Sequence, residues 1–77
     1  EEYSSEFALN SAEYFVLVER LKNHFFLLPE MMRNVMESHY HDLKSFPEIA
    51  KEQNVTLGRI SQIHSSAIKL LRKKMAW

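Results

Sequence analysis

The chain has no cysteine. Disulfides and thiolate metal sites are therefore excluded, and the composition fits a cytoplasmic protein. With one glycine and two prolines, it cannot build a glycine-rich phosphate loop, and helix breakers are scarce. Long apolar runs are also missing. The longest, Tyr14–Val18 and Phe25–Leu28, are far too short to span a bilayer, and no secretory signal is visible. No membrane partner is implied. The four histidines, His24, His39, His41 and His64, make no ligand set. His39 and His41 are two apart and do not face together on a helix. Ser38, His39 and Asp42 are neighbours in sequence, but a catalytic triad is defined by geometry in space. Glu1-Glu2 reads as solvation of a tail. We therefore expect no enzyme, no catalytic residue, no metal and no cofactor.

A further absence points to a function. No acidic residue occurs from Gln53 to Trp77, a stretch that holds Arg59, Lys69, Arg72, Lys73 and Lys74. The net charge of zero thus hides a split: residues 1–43 sum to −5 and residues 44–77 to +5. Such a division suits an acidic half that faces solvent or protein and a basic half that faces a polyanion.

At 77 residues and 45% apolar composition, the chain is one small folded domain. It starts Glu-Glu with no Met, as a piece of a longer protein would. Residues 1–10 read as a tail or linker and residues 11–77 as the domain. We expect an all-α domain of four helices and no strands. The first starts near Asn10 or Ser11, with Asn10 and Glu13 as a capping box. Its apolar residues Phe15, Val18, Leu21 and Phe25 recur at helical spacing, and Leu28-Pro29 ends the run. Pro29 opens the second helix, buried through Met32, Val35, Met36 and Tyr40 or His39. His41–Lys44 connect it to a short third helix, about Phe46–Gln53, capped by Ser45 with Glu48 three residues on. Asn54 ends that helix in the left-handed conformation. Thr56 caps the fourth helix, which runs to about Met75.

The third and fourth helices, joined by a tight turn, follow the helix-turn-helix plan. Ile49 is expected to be buried, Ala50 to sit where the helices approach, Asn54 to reverse the chain, Val55 to plug the turn, and Ile60 and Ile63 to face inward. Ala67, Leu70 or Leu71, and Met75 continue the inner stripe. Gly58, Arg59, Ser61, Gln62, Ser65, Lys69, Arg72 and Lys73 are left outside. The major groove admits an α-helix, whose first turns meet the base edges. Small residues there permit close approach. Gln62 can bond an adenine edge, and Arg59 a guanine or a phosphate. Near Thr56 the helix dipole favours phosphate. Exposed polar helix faces usually mix Glu with Lys, and this one does not. His64 reads as a packing or phosphate-side residue.

Glu48-Ile49-Ala50, Val55-Thr56, Arg59-Ile60-Ser61-Gln62-Ile63-His64-Ser65, Ala67-Ile68 and Leu71-Arg72 resemble the region-four domain of bacterial sigma-70-type RNA polymerase sigma factors, closest to the flagellar or motility group. Leu28-Pro29-Glu30 resembles the opening of that domain's preceding helix. The resemblance covers residues 12–76. It implies recognition of the −35 promoter element by the second motif helix and docking on the flap of the polymerase β subunit. For the motility group it also implies binding by an anti-sigma factor. It maps base contact onto Leu57, Gly58, Arg59, Ser61 and Gln62. To these the exposed face adds Thr56, Lys69, Arg72 and Lys73 for phosphates, with Ser65 beside them. Principal sigma factors carry an Arg-Glu pair where this chain has Leu57-Gly58, and Arg in place of Ser61. Either the recognised sequence differs, or binding leans on shape and phosphate contacts.

Two other classes fit the same residues. One is a helical protein-interaction module whose basic face is only solvated. The other is a response-regulator type of DNA-binding domain, although its motif helix is usually shorter. Phe25, Phe26, Leu27 and Leu28 form an apolar cluster that serves the core, or a protein partner where exposed.

Overall fold

The computed structural model describes residues 11–76, with four α-helices and no strand among them. They are α1 (Ser11–Lys22), α2 (Glu30–Tyr40), α3 (Phe46–Gln53) and α4 (Leu57–Lys74), with a single 3-10 turn, Phe25–Leu27, between α1 and α2. The all-α, helix-turn-helix expectation holds. The expected Asn10 cap and the tail 1–10 lie outside the described residues.

α1 stops earlier than its apolar pattern suggests. After Lys22 the chain tightens, and the His24 ring Nδ1 donates to the Arg20 carbonyl at 2.7 Å. Phe25 therefore enters the core from the 3-10 turn rather than from a continuous helix. Of the expected stripe, Leu21 and Phe25 are buried, but Phe15 is 63% exposed. Pro29, extended at φ −57° and ψ 155°, stands just outside α2 as its cap instead of its first residue.

α3 begins as expected. Ser45 Oγ accepts from the Glu48 N–H, while the Glu48 carboxylate accepts from the Ser45 N–H at 2.8 Å. That backbone hydrogen bond, which favours the charged form, holds the Glu48 carboxyl below its usual range. At the other end Asn54 adopts φ 58°, ψ 46°. The Val55 N–H reaches the Ala50 carbonyl and the Asn54 N–H that of Lys51. These two bonds form a Schellman closure. Val55, 40% exposed, does not plug the turn: hydrogen bonds close it and leave the side chain outside. α4 starts on Thr56, whose Oγ1 accepts from the Arg59 N–H at 3.0 Å.

Two apolar clusters hold these pieces together. Val35, Ile49, Ala50, Ile60 and Ile63 lock α3 and α4 onto α2. Leu21, Phe25, Leu28, Met36, Ala67 and Leu71 join α1 and the 3-10 turn to α2 and the second half of α4. Met32 packs against both. In α4 it is Leu71 that is fully buried, with Leu70 half-buried. Burying a side chain of this size stabilises by about 1.5–3 kcal/mol, so a small domain depends on each one.

Candidate nucleic-acid interface

The inner stripe of α4 fixes the outer face by elimination. With Ile60, Ile63, Ala67 and Leu71 buried, Gly58, Gln62, Ser65, Lys69 and Arg72 fall at steps of four and three along the opposite side. All ten residues expected to contact DNA are exposed. The structure brings nine of them onto one helix, with Thr56 at its cap.

The first turn is shaped for approach from outside. A Cβ added to Gly58 meets nothing nearer than Thr56 Oγ1, at 4.0 Å. The fold itself does not require glycine here, although glycine inside a helix costs about 0.5–1 kcal/mol relative to alanine. Leu57 beside it is 52% exposed and offers an apolar group of the kind that meets a thymine methyl. Thr56 uses one lone pair in capping. Its hydroxyl proton stays free to donate to an anion, at the helix end where backbone dipoles favour negative charge.

The face is also electrostatically unopposed. Lys22 pairs with Glu19 at 3.3 Å and Lys44 with Glu52 at 2.9 Å, both away from α4. Arg59 instead donates from Nη2 to the Met31 Sδ at 3.4 Å. Lys69, Arg72 and Lys73 extend the positive charge along the C-terminal half.

His64 lies on the packing side. Its Nε2 is 3.0 Å from the Tyr40 hydroxyl, and its ring packs beside His39 and Phe46. Burial, and secondarily the charge of His39, lowers its pKa from the ordinary value. The two side chains share one hydrogen bond, whose direction is set by the His64 tautomer. The cluster ties α2 to the middle of α4 and seats the outer face. Among the described residues no group of His, Cys, Asp or Glu is placed to hold a metal, and no helix is long and apolar enough to cross a membrane.

Of the four residues expected to meet a protein partner, Phe25 and Leu28 are corrected. They are 2% and 3% exposed, because the 3-10 turn points both into the cluster under α2 and α4. Leu27 is half-buried and Phe26 is 72% exposed. The exposed apolar surface lies mainly elsewhere, on Tyr14, Phe15, Val16 and Leu43.

A helix-turn-helix with an acid-free outer face on its second helix is matched by a known family. The family model described as sigma-70, region 4 matches residues 27–73, more than half of the chain. The chain belongs to the sigma-70 region 4 family. No curated protein and no solved structure matches it. As a sigma-70 region 4 domain it is a DNA-binding regulatory domain, the part of a sigma factor that recognises the −35 promoter element and works with RNA polymerase. This is not an enzyme family. The match begins at Leu27, so it includes α2, α3 and α4 and leaves α1 outside.

Proposed function

We propose that this sigma-70 region 4 domain reads the −35 element of motility-type promoters with the first turns of α4. Arg59, Ser61 and Gln62 meet base edges. Leu57 and Gly58 let the helix approach closely. Thr56, Lys69, Arg72 and Lys73 hold phosphates, and Ser65 lies between the two sets. The observation that carries this reading is the outer face of α4: every proposed contact is exposed, and no acidic residue stands among them. The motility assignment rests on the resemblance of residues 48–72. The place of action is then the cytoplasm, where the polymerase is.

The test is binding to a duplex with a motility-type −35 element and to a scrambled duplex, at two salt concentrations. Wild type is expected to prefer the promoter duplex and to weaken linearly in log–log with salt. Arg59→Ala with Gln62→Ala is expected to lose about 1–3 kcal/mol of discrimination for each base contact removed. Absence of any preference at either salt contradicts base readout.

Exposed apolar residues away from α4 support a second contact. Tyr14, Phe15, Val16, Phe26 and Leu43 are each more than half exposed, in the half of the chain with net charge −5. Apolar surface of this kind suits a protein rather than DNA. The flap of the polymerase β subunit and an anti-sigma factor are the proposed occupants. Their binding is expected to change little with salt.

A further inference from the structure

The helix-turn-helix is not the only element at the outer face of α4. The first turn of α2 borders it across an open groove, with Pro29, Met31 and Met32 on one wall and Arg59, Gln62 and Ser65 on the other. Met31 is 53% exposed, so packing alone does not explain a large apolar side chain there. Its Sδ accepts from the Arg59 Nη2 at 3.4 Å across 28 residues of sequence. Arg59 joins no ion pair among the described residues.

The chemistry of this contact is specific. A thioether is polarizable and a weak acceptor, and it carries no charge. It can lean a guanidinium in one direction while leaving its positive charge available. A carboxylate in the same place would bind more strongly and compete with any phosphate or guanine for the same donors. An arginine also loses rotamer freedom when it docks, and one already directed loses less. We propose that Met31, on a helix outside the helix-turn-helix, is a positioning residue for Arg59 and so helps to set which base or phosphate Arg59 reaches. This rests on the reading of Arg59 as a DNA contact.

The experiment uses the 77-residue chain, a labelled duplex with a motility-type −35 element and its single-base variants, and binding measured by fluorescence anisotropy. Met31→Leu keeps volume and apolarity but removes the acceptor. Met31→Gln supplies a neutral acceptor of similar length. Because Met31 is exposed, both are expected to leave the melting temperature close to wild type. Met31→Leu is expected to lower discrimination at the position read by Arg59 by about two- to threefold, the lower range of coupling between touching side chains. Met31→Gln is expected to retain discrimination. In the Arg59→Ala background Met31→Leu is expected to add nothing. If Met31→Leu discriminates as well as wild type, or its loss persists without Arg59, the positioning role is overturned. If Arg59→Ala itself leaves discrimination unchanged, the base-contact reading of Arg59 falls, and the positioning role with it. A loss in Arg59→Ala without one in Met31→Leu removes only the role of Met31.

Discussion

α3–α4 and α1 are built from similar residue types and behave differently. In α3–α4 each boundary is set locally. Ser45 with Glu48, Asn54, and Thr56 all satisfy backbone groups within a few residues, and the buried residues sit at helical spacing. In α1 apolar residues are as plentiful but less confined to one face, and Tyr14, Phe15 and Val16 stand in solvent. The number of neighbours available to cover a face differs too. α4 packs its inner face on both α2 and α3, whereas α1 meets its neighbours mainly through Leu21, near its end. Periodicity states that a helix has an apolar side. It does not state how much of that side this chain will cover.

The largest effect that sharpens this contrast is in the core. Ile60→Ala removes a fully buried side chain and is expected to lower stability by about 2–5 kcal/mol, read by urea denaturation. Phe15→Ala on α1, similar in bulk but exposed, is expected to change stability by no more than about 0.5 kcal/mol. A comparable loss at Phe15 would mean that α1 is covered after all.

A smaller effect of opposite sign is expected at Gly58. With room for a methyl group, Gly58→Ala is expected to stabilise the fold by about 0.5–1 kcal/mol, seen as a higher melting temperature. The same substitution is expected to weaken binding to the −35 duplex, because the methyl group projects from the approach face. Stabilisation with unchanged binding would remove Gly58 from the interface.

The smallest effect is a pH dependence in the cluster between α2 and α4. Burial depresses the His64 pKa below its ordinary 6.5, so the unfolded chain binds its proton more readily. The contribution is present above pH 6.5 and is lost as pH falls from there through the folded-state value. His39 and Tyr40 face the ring, and charging His39 acts in the same direction. His64→Gln is expected to flatten this part of the stability profile. Parallel profiles for mutant and wild type would assign the dependence to other groups.

How much was legible follows the same division. α3 and the start of α4 could be read to the residue, since caps and the left-handed Asn54 are interactions between near neighbours. The outer face was legible because a buried stripe fixes its opposite side. The end of α1 was not. Nothing in Leu21–Phe25 distinguishes a continuing helix from one that tightens into a 3-10 turn, and the outcome depends on where the core admits Phe25. Leu43 was equally hidden. It takes φ 59° in the α2–α3 connector, a conformation that a bulky side chain rarely adopts, and no glycine or asparagine marks it. The Met31–Arg59 contact joins residues 28 apart, beyond the reach of any local rule.

The most direct test of the central claim is chemical-shift mapping. A duplex with a motility-type −35 element is titrated into the labelled domain at low salt. The account predicts perturbations centred on Thr56–Ser65, continuing through Lys69, Arg72 and Lys73, with Tyr14, Phe15, Val16 and Leu43 unaffected. Perturbations centred on that apolar surface, or spread evenly over every basic side chain, would contradict it.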